Sequence, residues 1–324
     1  MIKKVTTKSA LAPTPMAGLA LGIASLGWSW ENVAPLDGMG QITGAVIAGV
    51  LLIVLTIKFM AHGHLLKQDM AHPVVGSVLP TFAMALMVIS HSFGQWNRGF
   101  GDAVWMMAVL IHVSFLVSFV YHRSSDFQLS HMVPSWFVPP VGLIVADVSF
   151  SGTPELAYIA DGILNFGLVT YAILLPTMIY RLVFCESVPD AAKPTIAIMA
   201  APASLSLAGY LTVTQDPSPV LVALLFGIAI LMTVVIYAAF FHLLRLPFSP
   251  AYAAFTFPMV IGATALFKMA DWLESISVAQ QYVEQVRYLA IFELLVASAV
   301  VFYVSWCYAR HVLPTIIMGS KVTN

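Results

Sequence analysis

SPAYAAFTFPMVIGATAL, residues 249–266, carries no charge and holds a proline, Pro258, near its middle. A charge-free run of this kind suits the interior of a bilayer, which about 20 apolar residues suffice to cross as a helix. Proline lacks a backbone N–H and bends a helix, so Pro258 predicts a kinked span. Four other runs read the same way. LAPTPMAGLALG (11–22) is built around Pro15, HPVVGSVLPTFAMAL (72–86) around Pro80, PSWFVPPVGLIVA (134–146) around Pro140 and KPTIAIMAAPASLSLAGYL (193–211) around Pro202. The five prolines are spaced by 65, 60, 62 and 56 residues.

Plainer apolar runs alternate with these five, although Pro176 interrupts one of them. The repeating unit is therefore a hairpin of about 60 residues that crosses twice, so every repeat enters the membrane in the same direction. This is a parallel repeat, not an inverted one. Five equivalent hairpins suit a ring. The proline-bearing helices are the better inner members, because small residues such as Gly142, Ala203, Ser204, Gly262 and Ala263 let backbones approach closely. A carbonyl freed by proline is also tolerated at membrane depth where it is buried or faces a water-filled cavity. The expected fold is an all-α membrane protein. Ten transmembrane helices form five parallel-repeat hairpins in a ring around a central pore, as a single transmembrane domain over residues 1–324. The spans fall at about 13–33, 40–60, 73–93, 102–121, 134–150, 157–180, 194–214, 220–241, 251–270 and 287–309.

Composition agrees. Hydrophobic residues make up 60% of the chain and charged ones 9%, against roughly a quarter charged in a soluble domain. A net charge of −1 argues against nucleic acid as a partner. The basic residues set an orientation. With a cytoplasmic N-terminus, Lys3, Lys4, Lys8, Lys58, Lys67, Arg123, Arg181, Lys193, Arg245, Arg310 and Lys321 fall inside, and only Arg98, Lys268 and Arg287 fall outside. Both termini are then cytoplasmic, and the strong bias with short loops suits a bacterial inner membrane. The first apolar run is long enough to be a retained span and not a cleaved signal. Cys185 and Cys307 read as free thiols.

Three of the proline-bearing runs carry a resemblance. PSWFVPPVG (134–142), followed by Ala146 and Asp147, resembles the fifth span of the tellurite-resistance/dicarboxylate transporter family. APASLSLAGY (201–210) is similar to its seventh span, and FTFPM (255–259) to its ninth, a motif shared with the plant guard-cell slow anion channels. The resemblance covers about residues 13–312. It implies ten helices around a pore within each subunit, a homotrimer, and transport of small anions such as dicarboxylates, sulfite, nitrate or chloride. It also implies a gating phenylalanine on the ninth helix, matched here by Phe257.

Aligning the repeats on their prolines gives a residue-based route to the same group. The preceding residues are Thr14, Leu79, Pro139, Ala201 and Phe257, of which only the last is aromatic. A phenyl ring at the level of the axis closes a narrow pore by dewetting; otherwise it packs between helices. Expected pore-lining groups are the kinks Pro15, Pro80, Pro140, Pro202 and Pro258 and the small or polar residues Thr14, Gly18, Ala201, Ser204, Thr256 and Gly262, with Ser77, Ser206 and Thr264 as further hydroxyls. Weak partial charges suit conduction better than a buried cation, which would hold an anion. Lys268, near the outer end of its span, either concentrates anions or snorkels as an interface lysine.

No catalytic triad, carboxylate pair, metal-spaced cysteine set or nucleotide loop is present, so the chain does not read as an enzyme and no cofactor or metal is expected. His62, His64 and His72 read as loop histidines, and His91 and His112 are poorly matched in depth for haem. Intramembrane carboxylates are Asp147, Asp161 and Glu293, with Asp147 the best candidate for proton coupling or a structural bond. The leading expectation is an anion channel or channel-like exporter gated by Phe257. The alternative is a proton-coupled carrier for C4-dicarboxylates or oxyanions such as tellurite or sulfite. A membrane redox enzyme built on the histidines is a third reading, which the absorption spectrum of purified protein tests.

Overall fold

A computed structural model describes residues 7–318, and these are helical with no strand among them. Lys3, Lys4 and Lys321, assigned above to the cytoplasmic side, lie outside the described residues. The principal helices are Met16–Ser29 (α1), Met39–Ala61 (α2), Val75–Gly94 (α3), Arg98–Ser125 (α4), Pro134–Val148 (α5), Pro154–Phe184 (α6), Lys193–Val213 (α7), Pro219–Leu243 (α8), Pro250–Glu274 (α9) and Ala279–Ile317 (α10). A short helix, Gly63–Ala71, joins α2 to α3.

Eight of these helices are long and apolar enough to cross a membrane; α1 and α5 are shorter. Within the expected spans 13–33 and 134–150 the principal helices are Met16–Ser29 and Pro134–Val148. α1 begins only after Pro15, since Pro13 and Pro15 have no N–H for a regular preceding turn. In α5, Pro134, Pro139 and Pro140 divide the chain into short alternating turns: 3-10 over Pro134–Phe137, α over Val138–Val141, 3-10 over Gly142–Ile144 and α over Val145–Val148.

The interior prolines also act differently from kinks in continuous α-helices. In α7 a 3-10 stretch, Lys193–Ala200, gives way to an α-helix at Ala201, with Pro202 its second residue. In α9 the change falls between Pro250–Phe255 and Thr256–Glu274, beside Pro258. Pro15 stands immediately before the α-helix Met16–Ser29, and Pro80 immediately before Thr81–Gly94, the longer of two α-segments in α3. Each proline occupies the opening of an α-segment, where its missing N–H is least damaging. Pro176, by contrast, lies inside an unbroken α-helix, Ala157–Phe184.

Burial separates the two classes of helix. The most apolar windows of α3, α7 and α9 are 72%, 78% and 83% buried, against 28% in each of α4, α6 and α8. α5 is buried at every residue except Pro140. Exposed large side chains such as Ile53 of α2, Leu110 of α4, Ile173 of α6, Leu231 of α8 and Phe302 of α10 form apolar outer faces. Such faces are costly in water and natural in lipid. The buried helices touch in succession: α1 packs on α3, α3 on α5, α5 on α7, α7 on α9, and α9 again on α1.

Several basic residues at the ends from which the odd-numbered helices start are structural clamps. Arg181, 1% exposed, donates to the carbonyls of Leu129 at 2.9 Å and Ser130 at 3.0 Å, and to that of Glu186. Arg123 donates to the Ala71 carbonyl at 2.6 Å. Arg181→Met leaves three carbonyls without this donor. It is expected to cost about 3 kcal/mol, read as a lowered melting temperature in detergent, while the exposed Arg245→Met changes little. Equal melting of both variants would refute the clamp.

Candidate functional site

Two cavities lie against the odd-numbered helices. A cavity of about 720 Å³ occupies the half in which these helices start, and all five contribute to its wall: Gly18 and Leu21 of α1, Met84 of α3, Val141 of α5, Leu205 of α7 and Phe257 of α9. A second cavity, of about 70 Å³, is lined by Ser25 and Ser29 of α1, Val88 of α3, Val145 and Val148 of α5, and Phe257, Thr264 and Lys268 of α9. Among the described residues Phe257 is the one side chain common to both walls.

Local sequence explains this placement. Thr256 starts the α-helical part of α9, and its hydroxyl donates to the carbonyls of Ala253 at 2.7 Å and Gly18 at 3.2 Å. Gly22 leaves room for it, since a Cβ there would fall 2.4 Å from Thr256 Oγ1. Thr256 thus turns toward α1, and the next residue, Phe257, points elsewhere. The two neighbouring phenylalanines divide their roles. Phe255 is fully buried against Tyr252 and Phe240, with ring centroids 4.8 and 5.5 Å away. Phe257 is 8% exposed, on the cavity side.

The other expected lining residues divide into three groups. Thr14, Pro15, Gly18, Ala201, Pro202 and Pro258 line the large cavity with Phe257, and Lys268 lines the small one. Pro80, Pro140 and Thr256 line neither. Ser204 and Gly262 face a separate space of about 10 Å³ shared with Thr233 of α8 and Glu293 of α10. A Cβ on Gly262 would lie 2.6 Å from Glu293 Oε2, so this glycine accommodates α10 behind α9.

Asp147, His112 and His91, polar residues of the membrane interior, lie off these two cavities. Asp147 is fully buried, with no hydrogen-bond partner for either carboxylate oxygen among the described residues, and lines neither. His112 bonds the Pro139 carbonyl at 2.8 Å, and His91 stacks on Trp28 with centroids 4.2 Å apart. Among the described residues no three His, Cys, Asp or Glu side chains are grouped to hold a metal ion, and both cysteines are free.

One feature of the large cavity was missed from sequence. Lys58, on α2, reaches it and donates to Thr14 Oγ1 at 2.9 Å, with Asp69 Oδ2 3.3 Å away; all three residues line the wall. Lys58 stands in the last turn of an apolar helix, where a lysine normally snorkels to the interface, so it carried no distinguishing signal.

A Methanocaldococcus jannaschii protein named as an uncharacterized transporter is 25% identical over 256 residues, 69% of this chain and 75% of its own. The tellurite resistance protein TehA homolog of Haemophilus influenzae is 23% identical over 253 residues, 74% of each chain. Residues 15–316 match the family described as SLAC1, voltage-dependent anion channel. That match runs from Pro15 at the start of α1 into the end of α10, and the chain is therefore a multi-pass membrane protein of the SLAC1 family of anion channels and transporters.

Proposed function

We propose that the chain conducts small anions along an axis enclosed by α1, α3, α5, α7 and α9, and that Phe257 closes this path at rest. In this reading all ten helices cross the bilayer, α1 and α5 being completed by their flanking turns. Each subunit of a homotrimer in a bacterial inner membrane holds one pore, with both termini cytoplasmic. The observation that carries the proposal is the position of Phe257 as the shared wall of a wide cavity and a narrow one. The cycle of contacts among the buried helices and the lipid-like surface of the even ones support the ring. The path is mostly apolar beside Phe257, which suits closure by dewetting. Lys268 lines the small cavity with no carboxylate in that wall, which favours anions over cations there, whereas Lys58 in the large cavity is balanced by Asp69. Asp147 and Glu293 line neither cavity, and Asp69, which lines the large one, is paired with Lys58, so a proton-coupled carrier has less support.

Planar-bilayer recordings test this reading. Under opposed chloride and pH gradients, the reversal potential is expected to follow the anion gradient and to ignore pH. A reversal potential that moves with pH at fixed anion gradient would favour coupled transport of a dicarboxylate or oxyanion.

A further inference from the structure

We infer that Lys58 is an anion-binding site at the entrance to the large cavity, and that Asp69 is its built-in competitor. The inference deepens the proposed function, since it takes the large cavity as part of the conduction path. Among the described residues Lys58 is the one lysine or arginine in this wall, and Asp69 is the one carboxylate. The Lys58 side chain is 7% exposed and that of Asp69 is 23% exposed. The ammonium is therefore held away from bulk water, while its partner stays within reach of solvent. Thr14, 3% exposed, ties the pair to the ring: its hydroxyl accepts from Lys58 and donates to the same carboxylate oxygen, Asp69 Oδ2.

The arrangement has a chemical reason. A buried ammonium without a counter-charge is strongly unfavourable, so it acquires an anion from its surroundings. A bare Lys58 would hold a chloride or nitrate too firmly for rapid exit, whereas conduction requires weak binding. Asp69 supplies the counter-charge when the path is empty and gives way when a small inorganic anion arrives. The Thr14 hydroxyl is placed to donate to whichever anion occupies the site. Asp69 sits on the short Gly63–Ala71 helix, which packs on the first turn of α3 and is held at Ala71 by Arg123, so the Asp69 side chain alone turns aside while the backbone stays in place.

Two measurements with chloride test this. In the first, detergent-solubilised protein is melted in sodium chloride and in sodium gluconate. Asp69→Asn is expected to gain a chloride-dependent rise in melting temperature larger than that of wild type, and Lys58→Gln/Asp69→Asn to lose it. A chloride response in Asp69→Asn no larger than wild type, or one that survives in the double variant, overturns the site. This readout needs no current, so it stands even if the pore reading fails.

The second measurement uses a Phe257→Ala background. Here Asp69→Asn is expected to lower the half-saturating chloride concentration, applied from the Lys58 side, by about fivefold or more. Lys58→Gln is expected to raise it, and this variant carries the test should Asp69→Asn not be recovered folded. Unchanged half-saturation in both variants overturns the site, whereas absence of current in Phe257→Ala itself counts against the pore reading.

Discussion

Phe257→Ala is expected to raise chloride current at least tenfold over wild type in a planar bilayer, at equal protein and with unchanged folding. A tenfold rise corresponds to a barrier lowered by about 1.4 kcal/mol. The physical ground is the loss of the one side chain that, among the described residues, is common to the two cavity walls. With a methyl group in place of the phenyl ring the two spaces merge, and water fills a segment that had been too narrow and apolar to hold it. Phe255→Ala provides the contrast. Phe255 fills the contact with Tyr252 and Phe240 and lines neither cavity, so truncation should cost about 3–5 kcal/mol of stability and leave conductance per folded molecule unchanged. Equal currents from wild type and a well-folded Phe257→Ala would remove the gate, and a current increase from Phe255→Ala alone would move it.

The alternation of buried and outward-facing helices could be read from the spacing of five prolines, because that spacing reflects a constraint repeated along the chain. The alternation follows the same register as Pro15, Pro80, Pro140, Pro202 and Pro258. The form of the break was not legible. Composition does not distinguish a bent α-helix from a 3-10 stretch that becomes α at Ala201 or Thr256, since both use the same apolar residues. Face assignments within a helix were also weak. The odd-numbered helices are buried nearly all round and lack an amphipathic stripe to say which residues face the axis. Thus Thr256 and Phe257, adjacent in sequence, look equally suited to the path, and only the hydroxyl bond to the Gly18 carbonyl separates them. Lys58 and Asp69, eleven residues apart on different helices, meet at Thr14 through tertiary packing that no local pattern announces.

Gly27→Val is expected to prevent assembly of the first hairpin, with little or no monodisperse protein recovered after extraction. Where α1 and α2 meet, their backbones touch. A Cβ on Gly27 would lie 2.3 Å from the Gly40 carbonyl oxygen, one on Gly40 would lie 2.8 Å from the Gly27 oxygen, and one on Gly44 would lie 2.8 Å from the Ile23 oxygen. Gly40 and Gly44 form a small-residue pair one turn apart, the pattern that lets membrane helices approach closely. Glu31 adds a second tie, its carboxylate accepting from the N–H groups of Gly38, Gly40 and Gln41 at 3.1, 2.9 and 3.1 Å. This places a negative charge at the α2 N-terminus, where the helix dipole favours it. A flexible side chain would yield to an added methyl group, but a backbone carbonyl cannot, so the two helices must separate and forfeit both the contact and the Glu31 cap. The cost should exceed about 3 kcal/mol, beyond the usual range for overpacking. A Cβ on Gly49, in the same α2 helix, would meet nothing within 4 Å, and Gly49→Val is expected to fold and melt as wild type does. Similar losses from both variants would mean that valine in α2 or α1 is harmful for reasons other than contact, and recovery of a stable Gly27→Val protein would show that the hairpin tolerates a gap the packing does not provide.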